Sequence, residues 1–212
     1  MATTLEGLTP GQWIVDPAHS EVGFVVRHMM IAKVKGRFSG VSGTVTVAEN
    51  VLESTVEATA EAATIDTRDE GRDAHLRSGD FFDAEKFPTL TFRSTGIREQ
   101  GGDYLLDGDL TIRDVTKPVT FALEYNGAAT NPMTGGQTAG FSAETEINRK
   151  DFGLTWNVAV ESGGVLVADK VKIVLDIEAG LAVEPTVADE LETGDAADPA
   201  QSDDSQLVAS SA

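Results

Sequence analysis

The sequence predicts an all-β protein: one antiparallel barrel or sandwich with a short helix and an acidic C-terminal tail. Apolar and polar residues alternate with a period of two along most of the chain, which places successive side chains on opposite faces of a strand. Short connections that contain Gly and Asn separate the alternating segments, as is typical of antiparallel sheets. The composition then changes sharply near Gly180, where we expect the folded domain to end.

Alternating segments follow one another from the N-terminal region to the start of the tail. In chain order they are 13–15, 22–28, 40–47, 56–62, 90–92, 106–112, 119–125, 141–147 and 171–177. This pattern predicts roughly eight or nine strands. Their polar outer faces and the lack of intervening helices favour an antiparallel barrel or sandwich over a parallel sheet.

One helix is predicted between two of these strands. It opens at Asp66-Thr67, where a capping side chain is followed by acidic residues, and it closes at Ser78-Gly79. Residues 66–86 would then form a lid or plug across one mouth of the barrel, and Pro88 marks the entry into the next strand. Residues 126–140 are rich in Gly, Thr and Asn, and we interpret them as a mobile hairpin loop.

Length and composition predict the domain organisation. The chain has 212 residues, of which 41% are hydrophobic, and this is enough for one domain with a sizeable core. We predict a flexible segment over residues 1–12, a barrel domain over 13–180 and a disordered acidic tail over 181–212. The tail holds eight acidic residues, no basic residue and no aromatic residue, a composition typical of disorder. We interpret it as a solvating spacer, with a specific partner contact as the alternative.

The charge balance argues against several classes of partner. Sixteen Lys and Arg residues stand against 35 Asp and Glu residues, for a net charge of −19, which repels nucleic-acid phosphates and anionic lipid surfaces overall. The apolar runs are all shorter than the roughly 18 to 20 residues of a membrane helix, and the first residues lack the features of a secretory signal. We therefore expect a cytoplasmic protein with no nucleic-acid partner and no stable membrane insertion.

The sequence also gives little support for catalysis or for metal binding. It has no cysteine, no Gly-x-Ser-x-Gly elbow, no phosphate loop and no dinucleotide fingerprint. Its three histidines, His19, His28 and His75, fall in a turn, a strand and the predicted helix, without a known ligand spacing. We predict that the protein is not an enzyme and holds no cofactor and no metal.

Eleven short segments between Trp13 and Ala179 have the character of family motifs. They occupy residues 13–24, 26–28, 36–38, 65–67, 72–83, 87–92, 108–112, 115–119, 147–149, 151–157 and 163–167. In this order they resemble the motifs of the YceI-like family. The resemblance implies a single extended, eight-stranded, lipocalin-like barrel with an elongated apolar tunnel. Family members are associated with polyisoprenoids, isoprenoid quinones or other long-chain lipids, and the resemblance supplies no catalytic residue.

A barrel of this size is just wide enough either to be filled by its own side chains or to hold one ligand. Small residues on the inferred inward faces, Ala58, Ala60, Ala62 and Ala143, favour a cavity, and tight packing is the alternative. The candidate ligand-binding residues are Phe24, His28, Phe81, Phe82, Phe92 and Trp156. Each of these aromatic residues could instead pack in the core, as buried aromatic rings commonly do.

Two considerations select these residues. Phe24 and His28 share one face of a predicted strand, and the Phe81-Phe82 pair lies where a lid would close. Trp156 lies in a loop-like stretch, which suggests a position at the barrel mouth. The resulting hypothesis is that the barrel binds, stores or transports a long-chain isoprenoid or similar apolar lipid. The alternative is a stress-linked scaffold whose acidic tail recruits a partner without a small-molecule ligand, and the sequence leaves a homodimer open.

Overall fold

Eleven strands, one α-helix and three short 3-10 helices make up the regular structure of residues 2–159 and 165–182, which a computed structural model describes. The strands are β1 (Gly11–Val15), β2 (Glu21–His28), β3 (Ala32–Phe38), β4 (Val41–Val47), β5 (Thr55–Glu61), β6 (Ile65–Asp66), β7 (Thr89–Gln100), β8 (Asp103–Ile112), β9 (Val115–Thr130), β10 (Gln137–Asn148) and β11 (Val167–Leu181). The helix, α1, spans Glu70–Arg77 between β6 and β7.

Eight of the strands close into an antiparallel barrel in the order β1-β4-β5-β7-β8-β9-β10-β11, with β11 pairing back to β1. Strand β11 pairs with β2 from Val167 to Asp176 and with β1 from Ala179 to Leu181, along one and the same edge. Strands β2, β3 and β6 therefore continue the barrel wall toward one end. The predicted eight-stranded antiparallel barrel with one helix is confirmed.

The alternation that predicts the strands also sets their register. On β11, Ile173, Leu175 and Ile177 face the barrel interior, whereas Lys172 faces out and its Nζ lies 2.6 Å from Glu144 Oε2 on β10. A slip of one residue would exchange the two faces and expose the apolar set. The outward ion pairs are exposed and contribute little individually, so the buried apolar face determines the register.

The helix begins later than the sequence suggests. Asp66 pairs with β3 as part of β6, and the helix N-cap is Asp69, whose Oδ1 accepts a hydrogen bond from Arg72 N at 2.9 Å. Thr67 is held in a different way: its backbone N donates to the buried Asp73 Oδ1 at 2.9 Å. The expected start at Asp66-Thr67 is therefore wrong, because sheet pairing and the Asp73 carboxylate fix both residues outside the helix.

The predicted mobile loop over residues 126–140 is largely strand. Strand β9 continues to Thr130 and β10 begins at Gln137, so the connecting loop covers only residues 131–136. Small residues pair across this part of the ladder, with Ala128 opposite Ala139. They carry little apolar signal, and backbone hydrogen bonds hold them in the sheet.

Residues before β1 are tied to the barrel, although the sequence predicts a flexible segment over 1–12. Val51 N donates to Thr3 O at 2.9 Å, Tyr125 Oη donates to Glu6 O at 2.7 Å, and Trp13 Nε1 donates to Thr9 O at 3.0 Å. At the other terminus β11 includes Leu181, where the predicted tail begins, and the tail beyond residue 182 lies outside the described residues. Within the described part of the chain, no helix has the length and apolarity needed to cross a membrane.

A buried cation joins the start of β11 to the loop that follows β10. Arg149 is only 4% exposed, and its guanidinium donates to the carbonyl oxygens of Ala168 at 3.0 Å and Trp156 at 2.9 Å. It also donates to Leu154 O at 2.5 Å, and Asp169 Oδ1 lies 3.5 Å away. Burial lowers the pKa of Arg149, and Asp169 opposes that effect. The side chain therefore donates to several backbone carbonyl groups at once and ties the loop to β11.

Replacing Arg149 with methionine should destabilise the barrel by roughly 3 to 5 kcal/mol, because buried carbonyl groups lose their donor. Urea unfolding measures the change. The matched control is Arg98→Met, which breaks an exposed pair with Asp107 and should cost about 1 kcal/mol or less. Equal effects of the two substitutions would show that the Arg149 hydrogen bonds do not hold the wall together.

The junction between β1 and β2 holds a hydrogen-bonded pair of titrating groups. His19 Nδ1 lies 2.8 Å from Asp16 Oδ2 and 4.0 Å from Glu178 Oε1. The hydrogen bond to Asp16 raises the pKa of His19, and the same bond lowers the pKa of Asp16. The His19 side chain is 64% exposed, so the pair contributes only modestly to stability.

We expect His19 to titrate above the ordinary imidazole pKa of about 6.5 in the folded protein, and Asp16→Asn to lower its pKa toward that value. Because the folded state prefers protonated His19, its contribution to stability is fully present below about pH 6.5 and is lost as the pH rises through the higher folded pKa. Proton NMR titration of the imidazole measures both values. An unchanged His19 pKa in Asp16→Asn would contradict this assignment.

Candidate ligand cavity

The barrel encloses a cavity of about 210 Å³ that runs along its interior. Inward side chains from all eight barrel strands and from β2 and β3 line it, and most of them are aliphatic or aromatic. Of its polar lining residues, Ser54, Tyr104 and Tyr125 offer hydroxyl groups. Ser42, Thr59 and Thr91 pair with one another on the face opposite Ala58 and Ala60, so they adjoin the cavity through their backbone. None of the described residues around the cavity carries a charge. Such a lining suits an uncharged, apolar chain and offers a few hydroxyl groups for a polar end.

Small residues make room in the barrel. Ala58, Ala60 and Ala143 line the cavity, as their predicted inward faces require. Ala143 lies in a buried cluster with Leu106 and Phe121 near the middle of the barrel. Ala62 is completely buried but lies in a 3-10 turn after β5, away from the cavity lining. Three of the four alanines therefore contribute to the cavity.

Two of the predicted ligand-binding residues, Phe24 and Phe92, line the cavity. Each ring leans over a glycine on the neighbouring strand. A Cβ added at Gly36 would lie 2.3 Å from Phe24 Cζ, and a Cβ added at Gly108 would lie 2.3 Å from Phe92 Cζ. Because neither glycine has a Cβ, each ring can lie against the barrel wall, and this leaves the lumen open.

The other predicted aromatic residues form a separate cluster at the helix end of the barrel. Phe81 is buried with Leu110 and Ile112, and its ring centroid lies 5.4 Å from that of Trp156. Phe82 packs edge-to-face on Phe38 at a centroid distance of 5.7 Å. None of Phe81, Phe82 and Trp156 lines the cavity, although Leu110 and Ile112 line it. The cluster therefore forms a packed floor beneath the cavity, and ligand contact by its members stays a prediction.

His28 lies apart from both groups. It is the last residue of β2, half-buried, and paired with Ala32 on β3 and Val167 on β11. It is absent from the cavity lining. The shared strand face that predicts its position is real, but β2 extends beyond the cavity before it reaches His28.

The opposite end of the cavity involves residues that the sequence analysis missed. Leu5 and Leu8 line the cavity together with Val51 and Tyr125. The hydrogen bond from Tyr125 Oη to Glu6 O, 2.7 Å long, holds the segment at this end. Burial, with a smaller effect of the Glu6 charge, raises the pKa of Tyr125. The sequence offers one sign of this contact, two leucines three residues apart, but the pattern is too short to show what they pack against.

One group of described side chains has the donor set of a metal site. The ligand atoms of Asp16, His19 and Glu178 lie within 4.8 Å of one another. The hydrogen bond between His19 and Asp16 already accounts for their geometry, and none of the three lines the cavity. This group is explained as an ion pair at the β1–β2 junction.

Comparison with known proteins places this barrel in a family. Residues 13–179 match the YceI-like domain. A UPF0312 protein of Staphylococcus aureus (strain N315) is 38% identical over 158 residues, which cover 74% of this chain and 90% of that protein. The crystal structure of BcnA from Burkholderia cenocepacia is similar at a TM-score of 0.66 and 26% identity, over 77% of this chain and 98% of that chain.

A third similar protein shares the fold alone. It is a polyisoprenoid binding domain from Saccharophagus degradans, with a TM-score of 0.59 and 13% identity, over 82% of this chain and 100% of that chain. The family match covers nearly the whole barrel, from β1 to β11. The chain therefore belongs to the YceI-like family, as its motifs predict.

Proposed function

We propose that the protein binds a long-chain isoprenoid or a similar apolar lipid in the barrel cavity, and that it stores or transports this molecule. The observation that carries the proposal is the cavity itself, about 210 Å³ in volume and lined without charge by the described residues. Apolar lining with a few placed hydroxyl groups is the usual character of a small-molecule site. The Saccharophagus domain, named for polyisoprenoid binding, has the same fold and supports this lipid class.

The size of the cavity limits the length of lipid chain that it can hold without rearrangement. Each buried CH₂ group contributes roughly 0.8 kcal/mol, so affinity should rise with chain length until the cavity is full. The volume of about 210 Å³ is below the ~300 to 1,000 Å³ of most ligand sites. A long chain must therefore displace lining groups, and Leu5 and Leu8 are candidates because they precede β1 and belong to no strand.

Several features of this proposal come from the sequence alone. The absence of catalysis and a cytoplasmic location stay predictions, and the sequence leaves open whether the protein forms a homodimer. The alternative scaffold function depends on the acidic tail, which lies outside the described residues. Organic extraction of the purified protein followed by mass spectrometry separates the two functions, because only the lipid-binding protein should release an apolar molecule.

The contact between Gly36 and the Phe24 ring gives a first test. In Gly36→Ala, the new methyl group would overlap the Phe24 ring and lie 2.8 Å from Thr67 Cγ2, so the ring should swing into the lumen. We expect affinity for a long prenyl alcohol to fall about tenfold or more, in line with an overpacking cost of roughly 1 to 3 kcal/mol. Fluorescence titration of lipid-free protein measures the affinity.

Two variants control this test. Gly96→Ala adds a methyl group at a position on β7 with no heavy atom within 4 Å, so it should bind normally. The double variant Phe24→Leu with Gly36→Ala removes the ring that the methyl group displaces, and it should recover binding. If Gly36→Ala binds like the unmodified protein, the Phe24 ring does not border the ligand.

Chain-length selection gives a second test. Ala143 faces the cavity on β10, whereas Ala122 on the neighbouring strand β9 is exposed. We expect Ala143→Leu to shorten the longest prenyl alcohol that binds, and to cost less than about 1 kcal/mol of stability because the cavity accepts the added atoms. Ala122→Leu should change neither property. Strong destabilisation of Ala143→Leu with unchanged chain-length preference would show a packed core at this position.

A further inference from the structure

The turn between β2 and β3 exposes three consecutive apolar residues. Met29 is 38% exposed, Met30 55% and Ile31 81%. Val158, 48% exposed, lies on the adjacent backbone, because Leu166 N donates to Val158 O and Met29 N donates to Leu166 O. We call residues 29–31 the apolar tip. Exposed apolar groups that are contiguous are typical of interaction sites.

The backbone of the apolar tip is unfavourable for the residues that occupy it. Ile31 N donates to His28 O at 3.1 Å, and the two central residues, Met29 and Met30, have φ values of 49° and 63°. A tight hairpin turn with positive φ at both positions is normally built from Asn and Gly, since other side chains are strained there. Methionine at both positions therefore gives the turn no folding advantage, and it places large apolar groups in the solvent.

Basic residues lie beside the apolar tip, on one face of the hairpin. Arg27, Lys33 and Lys35 are exposed on the hairpin, and Arg27 lies directly opposite Lys33 in the ladder. Like charges in opposed positions destabilise a sheet. None of these three side chains forms an ion pair with a described residue, whereas Arg37 on the same hairpin contacts Glu21 and Asp66. We call Arg27, Lys33 and Lys35 the basic collar.

We propose that the apolar tip and the basic collar dock the protein on an anionic lipid bilayer. Aliphatic side chains enter the interfacial layer, while neighbouring cations bind the head groups, as in other peripheral membrane proteins. The chain has a net charge of −19, but the Debye length of about 8 Å at physiological ionic strength screens acidic groups distant from the contact. Docking of this kind reaches only the interface and needs no membrane-spanning segment.

Charge selects the bilayer over other occupants of this surface. A second copy of the hairpin would bring two basic collars together and would repel. Single-stranded nucleic acid is normally held by aromatic side chains on which the bases stack, and the apolar tip consists of Met and Ile. An anionic lipid surface complements both the aliphatic groups and the positive charge.

The position of the hairpin relates docking to the cavity. Phe24 lines the cavity, and Met29 follows it by five residues along the same hairpin. At about 3.3 Å per residue this separation is about 16 Å. Docking therefore brings one wall of the cavity close to the membrane.

Sedimentation of the full chain with lipid vesicles tests the proposal. We expect binding to vesicles that contain phosphatidylglycerol, weaker binding to pure phosphatidylcholine, and loss of binding at high salt. Lys33→Gln and Lys35→Gln should each lower the affinity about fivefold, since one basic residue near an anionic surface contributes about 1 kcal/mol. Met30→Ser with Ile31→Ser should lower it for both vesicle types.

Matched variants separate this surface from general effects. Met133 is 92% exposed in the β9–β10 loop, and Lys117 is exposed on β9, so Met133→Ser and Lys117→Gln should bind vesicles normally. Ala143→Leu should also dock normally, because vesicle binding does not depend on the cavity. Equal binding to both vesicle types, or variants of the hairpin that bind like the unmodified protein, would overturn the proposal. Self-association or nucleic-acid binding that depends on Ile31 would also overturn it.

Discussion

The shared edge of β11 is the constraint on which the barrel depends. Its other edge pairs with β10 from residue 170 to residue 180, while this edge passes from β2 to β1. At the transition, Glu178 O accepts from Asp16 N at 2.8 Å and from Ser20 Oγ at 3.2 Å. These bonds satisfy the backbone where neither strand pairs, so the chain can turn between β1 and β2 without opening the wall. The closed cavity and the projecting β2–β3 hairpin both result from this arrangement.

Packing is distributed unevenly along the barrel. Trp13 and Ala179 are completely buried at the end near the N-terminal segment, and Phe81 and Phe152 are buried at the helix end. Between these ends, small residues such as Ala143 reduce the contacts across the lumen. Each end therefore contributes a buried apolar cluster, and the cavity between them leaves the middle room to adapt to a guest.

Local patterns explain which features could be predicted. Phe24 belongs to a strand with clear alternation, so its inward face could be read from the sequence. Phe81 and Phe82 follow a helix, where side-chain direction depends on tertiary packing and alternation gives no guide. The hairpin near Ala128 lacks a clear alternation of apolar and polar residues, and its pairing depends on backbone hydrogen bonds. Leu5 lines the cavity next to Tyr125, which lies on the distant strand β9 and is hydrogen-bonded to the neighbouring Glu6. A short local pattern carries no information about such a distant partner.

The N-terminal segment has a practical consequence for work with this protein. Leu5 and Leu8 belong to the cavity lining, and Thr3 is hydrogen-bonded to the turn before β5. Residues fused ahead of this segment would adjoin the lining and change how firmly it rests on the barrel. The purification tag therefore becomes a chemical variable in any measurement of ligand uptake, and preparations that differ only in that tag should not be assumed to have the same uptake kinetics.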